Sequence, residues 1–127
     1  MNEYSFLRKF QNGEIITGEF NHREHVQAAW EMLKTYPFME AVVRYAGCIE
    51  SMACKAGAPE KFNMTITLSF MSLIAERMAS APESDFDGFY TAHPDLVHNP
   101  LRNWYSDQRL NNDLARRIFL MPESRTA

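Results

Sequence analysis

The chain has little of what would mark a specialised class of protein. Its 127 residues carry a formal net charge of only −3, so no basic surface is predicted to attract nucleic acid or an anionic membrane. The longest stretch without a charged residue, Phe62 to Ala75, is too short to span a bilayer. Two cysteines, Cys48 and Cys54, are too few for a disulfide framework. We therefore expect a cytoplasmic, reduced protein that binds neither nucleic acid nor membrane, and "MNEYSFLRKF" shows no signal peptide.

Common catalytic and nucleotide-binding motifs are also missing. The five glycines are scattered, so no loop is predicted to cradle a phosphate or a dinucleotide. No Ser-His-Asp spacing of a hydrolase is present. Cys48 is predicted to be a small buried hydrophobe, and the alternative is a nucleophile beside a histidine.

What the chain does have is apolar residues at helical spacing, divided by proline and glycine into segments. Helices are predicted at Glu3–Gln11, from Asn21 to Pro37, at Phe38–Ala56, at about Glu60–Ser80, and from Asn112 to about Leu120. This pattern predicts an all-α protein, a bundle of about four main helices with a C-terminal region of short helices. We expect one domain over residues 1–122 and a flexible tail over 123–127. A β-hairpin around Asn12-Gly13 is the competing interpretation of the first segment.

The fourth helix is predicted to carry a long apolar face into the core. Its inward residues by helical phase are Phe62, Ile66, Phe70, Leu73 and Ile74, with Asn63 and Thr67 as polar residues on the inner side. No acid is predicted on that side, and Glu50 of the third helix is the nearest internal candidate.

Two histidines, His22 and His25, open the second helix in "FNHREHVQAAWEML", where Asn21 and Glu24 form a capping-box pattern. Their spacing of three places both rings on neighbouring positions of one face, which is predicted to point inward. Bundle proteins build metal sites in this way, so His22 and His25 are candidate ligands of a divalent transition metal or candidate catalytic bases. The alternative is that backbone, carboxylate or water satisfies two ordinary polar rings.

Two further histidines, His93 and His98, lie beside prolines in "TAHPDLVHNP". They either complete the site from a distance or are surface loop residues.

Aromatic and methionine side chains are frequent in the central helices. They predict a pocket for a flat or apolar ligand, bounded by Trp30, Tyr45, Phe70 and Trp104. The alternatives are adaptable core packing and a methionine-rich face used to form a homodimer.

A resemblance to a known family extends over about Phe6 to Pro122. The segments Phe20-x-His22-x-x-His25, Ala29-Trp30, "GAPEKFNMTIT" and "NWYSDQRLNNDLARRIFLMP" resemble a family of small, uncharacterised bacterial helical proteins. In that family an aromatic-His-Glu-Thr motif stands where this chain has Phe62-Asn63-Met64-Thr65. The resemblance implies a metal site of three or four ligands in relatives, and an altered site here, because Asn63 and Met64 are poor ligands.

These observations predict a small helical pocket protein of metabolism that binds a small organic ligand, or a metal, at a site containing His22 and His25. Asn63 and Thr67 are predicted to face this pair from the fourth helix. The alternative is a non-catalytic binding or assembly module that acts as a homodimer or with a protein partner.

Overall fold

The computed structural model describes residues 3–80 and 85–123, and in that part of the chain it contains helices and turns but no strand. The predicted all-α class is therefore confirmed. The competing hairpin is wrong, because the first segment is a helix that stops at Gln11 and is followed by Gly13 with φ of +71°. A left-handed glycine shortly after the last turn is a common way for a helix to end.

The helices of the described residues are α1 (Glu3–Gln11), α2 (His22–Thr35), α3 (Phe38–Lys55), α4 (Met64–Ser80), α5 (Phe86–Ala92), α6 (Asp107–Leu110) and α7 (Asp113–Arg117). Short 3-10 turns occupy Thr17–Glu19, Pro59–Lys61 and Pro94–Val97. Helix α2 contacts each of α1, α3, α4 and α5, which makes it the central helix of the bundle. Within these residues, no helix combines the length and the apolar character needed to cross a membrane.

Helix α2 starts where the capping pattern predicts. The backbone N–H of Asn21 donates to the carboxylate of Glu24 at 3.0 Å, as in a capping box. Beyond this first turn the helix buries Val26, Ala29 and Trp30 almost completely. The well-defined start fixes the helical phase, and with it the side of the bundle that the first-turn histidines face.

Helix α4 starts at Met64 and not at Glu60 as predicted. Pro59–Lys61 forms a separate 3-10 turn, and the side-chain oxygen of Asn63 accepts from the backbone N–H of Ile66 at 2.9 Å, as an N-cap residue does. The prediction that Ile66 points into the core is wrong, because 37% of its surface is exposed while Thr65 is completely buried. In the first turn of α4, the side chain that is fully buried is that of Thr65, which contacts the C-terminal segment.

The C-terminal segment packs against the start of α4 through side-chain-to-backbone hydrogen bonds. The amide nitrogen of Asn63 donates to the carbonyl oxygen of Leu110 at 2.7 Å. The hydroxyl of Thr65 donates to the carbonyl of Ile118 at 2.8 Å and accepts from the N–H of Leu120 at 3.0 Å. The two bonds of Thr65 hold the backbone of Ile118 and Leu120, which follow Arg117. Helix α7 therefore ends at Arg117 and not at Leu120 as predicted.

Glu123, which the sequence placed in the flexible tail, is held by the segment before it. Its backbone N–H donates to the carbonyl of Trp104 at 3.0 Å, and its carboxylate accepts from the N–H of Ser106. The rest of the predicted tail, 124–127, lies outside the described residues.

Candidate functional site

A cavity of about 350 Å³ lies between α2, α3 and the first half of α4, with the C-terminal segment as its remaining wall. Its polar lining residues are His22, His25, Tyr45, Lys61, Asn63, Thr67 and Asn99. Its apolar lining residues are Val26, Ile49, Ile66, Phe70, Leu96, Val97, Pro100, Leu101 and Leu110. The volume is near the lower end of the range of about 300–1,000 Å³ typical of small-molecule sites.

Six of the predicted site residues line this one cavity, namely His22, His25, Tyr45, Asn63, Thr67 and Phe70. They come from three helices and from the residue before α4. The structure therefore brings together most of the side chains that helical phase selected.

Trp30 is not among them. The side chain is only 2% exposed and packs against Phe86 and Phe89, with ring centroids 5.7 and 6.5 Å apart. It lies one turn beyond Val26, where α5 covers α2, and the small part that reaches a surface lines a different cleft beside α1. Its prediction as a wall of the ligand pocket is not supported.

Trp104 is also outside the cavity. It is 42% exposed and lines a separate depression of about 200 Å³ with Phe119 and Pro122. Its backbone carbonyl is bound by Glu123, which fixes this turn against the C-terminal segment and away from the histidines.

The ring of His25 is held in place on both its polar and its apolar side. Its Nδ1 lies 2.9 Å from the carbonyl oxygen of Asn21. A carbonyl only accepts, so Nδ1 carries the proton, and in the neutral ring Nε2 keeps its lone pair. Nε2 has no hydrogen-bond partner among the described residues. The ring packs on Phe20 with a centroid distance of 4.2 Å.

The surroundings of His25 favour its neutral form. Burial is the largest cause that lowers its pKa below the ordinary value of 6.5, and the neighbouring His22 lowers it further. The bond to the Asn21 carbonyl and the charge of Glu24 act in the opposite direction but are outweighed. At neutral pH, His25 therefore offers an unprotonated nitrogen that can accept a hydrogen bond or a proton.

His22 lines the cavity but is exposed, so the prediction that it points into the interior is wrong. It is the first residue of α2, and no preceding helical turn covers its ring. His22 therefore belongs to the open mouth of the cavity, whereas His25 is set deeper.

Asn63 and Thr67 are buried, as predicted, but most of their hydrogen-bonding capacity is used within the protein. The Asn63 oxygen caps α4 and one amide N–H is bound to Leu110. The Thr67 hydroxyl donates to the carbonyl of Asn63 at 2.7 Å. What remains is one amide N–H on Asn63 and the acceptor capacity of the Thr67 oxygen.

Tyr45 contributes a neutral phenol to the lining. It is 2% exposed, and burial raises the pKa of its hydroxyl, so the phenol stays protonated. Within the part of the chain that the structure describes, the hydroxyl has no hydrogen-bond partner.

The residues of the cavity do not fit a metal centre. A bound transition metal needs three or four protein ligands, and no three His, Cys, Asp or Glu side chains cluster suitably anywhere in 3–80 and 85–123. Asn63 stands where the resemblance places a histidine. Its side-chain oxygen already accepts the backbone N–H of Ile66 in the cap of α4. The predicted metal role of His22 and His25 is therefore not supported.

The other candidate residues do not join the cavity. Nδ1 of His93 accepts from the guanidinium of Arg77 at 3.2 Å, and His98 and Glu50 are exposed outside it. Cys48 is half-buried on α3, and burial raises the pKa of its thiol, which disfavours a nucleophilic thiolate.

Sequence reasoning missed Lys61, the lysine at the mouth of the cavity. The predicted helix was extended back to Glu60 and so included Lys61 in its first turn. The dipeptide Ala58-Pro59 and the capping residue Asn63 would have indicated a separate turn at this point.

Comparison of the chain with family models, with curated proteins and with solved structures finds no match. The resemblance to a family of small bacterial helical proteins therefore stays a prediction.

Proposed function

We propose that the protein binds a small organic molecule of metabolism in the cavity between α2, α3 and α4. The observation that carries this proposal is the division of the cavity into an apolar wall and a polar end with unused hydrogen-bonding groups. Small-molecule sites have this composition, since apolar contacts supply affinity and a few polar groups fix orientation.

The apolar wall is formed by side chains from separate parts of the fold. Ile49 of α3 and Phe70 of α4 lie partly buried around the space, and Leu101 is buried in the C-terminal segment. A hydrocarbon group placed here leaves water and gains about 25 cal/mol for each Å² of apolar surface removed.

Three groups at the polar end can orient the ligand. Nε2 of His25 accepts a hydrogen bond, the free amide N–H of Asn63 donates one, and the Thr67 oxygen accepts one. The predicted catalytic role of His22 and His25 stays a prediction, supported by the lone pair of His25, which can take up a proton.

A fragment screen observed through isotope-labelled isoleucine methyl groups tests this proposal. We expect bound fragments to shift the methyl signals of Ile49 and Ile66, which line the cavity. Ile66→Trp should fill the cavity and abolish the shift of Ile49, the cavity signal that this variant keeps. Ile16→Trp is the matched control, because Ile16 is 66% exposed and does not line the cavity.

Two results would overturn the proposal. One is a screen in which no fragment perturbs Ile49 or Ile66. The other is binding that survives Ile66→Trp with unchanged affinity while that variant keeps the dispersed spectrum of a folded protein.

An assembly module is the second candidate function. It is supported by a concentration of exposed apolar side chains after the cavity-lining segment, namely Trp104, Leu114, Ile118, Phe119 and Met121. A second copy of the chain would cover this surface in a homodimer. Sedimentation at several concentrations tests it, and a monomer at all of them rejects the homodimer.

We also propose that the protein works in the cytoplasm. Cys48 and Cys54 are both free thiols, which supports a reducing compartment.

A further inference from the structure

The side chains that line the cavity include basic residues but no carboxylate. Its lining contains Lys61, His22 and His25 but no aspartate or glutamate. This contrasts with the whole chain, in which 16 acidic residues outnumber 13 basic ones. An acidic protein therefore has a cavity that is lined by one lysine and two histidines and by no carboxylate.

The two basic side chains at the mouth are not paired with a carboxylate. Lys61 and His22 are exposed, and neither takes part in a salt bridge among the described residues. The arginines Arg23, Arg44 and Arg77, by contrast, each pair with a carboxylate elsewhere.

The nearest acid on the same helix is also committed. Glu24 interacts with His25, but its carboxylate accepts the N–H of Asn21 in the helix cap and does not line the cavity. The remaining titratable side chain of the lining, Tyr45 of α3, stays neutral.

We infer that the ligand is a small organic anion, with its hydrocarbon part against Ile49 and Phe70 and its anionic group at the mouth beside Lys61 and His22. This inference rests on the proposed function and adds the charge class of the ligand. An organic cation would find no carboxylate in the lining, whereas an anion meets the unpaired ammonium group of Lys61, a donor that is strengthened by its charge.

The size and the residue types also limit the anion. A cavity of about 350 Å³ takes a compact molecule and not a long acyl chain. The lining contains no arginine, the residue that binds phosphate and carboxylate in bidentate fashion, so Lys61 acts as a point charge.

Matched probes separate the charge class from binding itself. We would titrate phenylacetate, phenyl phosphate and neutral phenylacetamide and follow the Ile49 and Ile66 methyl signals. At least one anion should bind about tenfold or more tightly than the amide, as expected for loss of a charged hydrogen bond. The tighter of the two anions identifies the head group as carboxylate or phosphate.

Failure of this inference differs from failure of the proposed function. Amide binding at the cavity with an affinity equal to that of both anions overturns the anion inference and leaves the proposed function standing. Absence of binding by all three probes also overturns it, while the wider fragment screen decides separately on the proposed function.

A pair of lysine variants tests the position of the anionic group. Lys61→Met and Lys9→Met each remove one positive charge, but Lys9 lies on α1 and does not line the cavity. We expect Lys61→Met to weaken binding of the anion about tenfold, with little effect on the amide, and Lys9→Met to leave both unchanged. Equal losses in the two variants would show only the effect of net charge and would overturn the assignment.

Discussion

The hydroxyl of Thr65 donates a hydrogen bond to the backbone carbonyl oxygen of Ile118 at a distance of 2.8 Å. The hydroxyl oxygen of Thr65 also accepts the backbone N–H of Leu120, so one buried side chain satisfies two backbone groups of a segment far away in the sequence. This relationship explains how short C-terminal helices, which bury little surface of their own, are kept in place.

Thr65→Val should therefore destabilise the protein. The substitution keeps the shape of the side chain but leaves a carbonyl and an N–H without their partner, at a cost of about 1–3 kcal/mol in the free energy of unfolding. Urea unfolding followed by circular dichroism measures it. Thr91→Val, at an exposed position of α5, should change the same quantity by less than about 0.5 kcal/mol. Equal effects of the two variants would contradict the role of Thr65.

Metal binding should depend on two residues that this chain lacks. The unchanged protein should bind Zn²⁺ no more tightly than His22→Ala with His25→Ala, because two imidazoles are too few for a stable site. Asn63→His with Met64→Glu supplies the residues that the resemblance implies beside α2, and should create zinc affinity while it removes the cap of α4. Calorimetric titration of protein without a histidine tag checks both. Stoichiometric zinc in the unchanged protein, lost on removal of the histidines, would contradict this prediction.

His25 should make stability depend on pH. Its pKa is lowered in the folded protein, mainly by burial, so the unfolded chain binds more protons below the ordinary value of 6.5. The stabilisation is therefore complete above about pH 6.5 and is lost as pH falls from there towards the folded pKa. His25→Gln should flatten the stability profile below about pH 6.5, measured by unfolding at a series of fixed pH values. An unchanged slope of the profile in His25→Gln would contradict this assignment.

The Arg77–Asp95 pair should stabilise the chain at neutral pH and lose its effect in acid. Two parallel contacts, of 3.0 and 2.8 Å, join the guanidinium to the carboxylate, and they lower the pKa of Asp95. The stabilisation is present above the unfolded pKa, about 4, and disappears as pH falls through the lower folded value.

Asp95→Asn should therefore reduce the free energy of unfolding by about 0.5–1 kcal/mol at pH 7, in keeping with a partly exposed pair, and by progressively less as pH falls below about 4. Asp113→Asn removes a more exposed pair on α7 and should have a smaller effect. A difference for Asp95→Asn that does not shrink as pH falls below about 4 would show that the ion pair is not its cause.

The main helices could be predicted from the sequence because their boundaries are set locally. Asn21 with Glu24 starts α2, Pro37 separates it from α3, and Gly57 with φ of +74° follows the end of α3. The start of α4 could not, since the side chain of Asn63 is held by Leu110, a residue that is distant in the sequence. The exposure of Ile66 has a separate origin, since this residue lies within α4 and its phase does not depend on where the helix begins.

In the candidate site, the residues on long helices could be predicted from the sequence and the residues of the irregular C-terminal segment could not. His25, Tyr45 and Phe70 lie on long helices whose phase reveals their inner faces. The position of Trp104 depends on the path of a segment with little regular structure, fixed by contacts such as that of Glu123. Nothing in the local sequence around Trp104 encodes those contacts.

The hydrogen bond between Asn63 and Leu110 has a consequence for how the protein is made. The histidines and the apolar faces of α2, α3 and α4 leave the ribosome before the residues that close the cavity over them. Until Leu110 has been synthesised, a nascent chain exposes this apolar surface to solvent and to chaperones. A chain that ends before this point therefore has α1 to α5 but lacks one part of the cavity wall, together with the carbonyl that holds the side chain of Asn63.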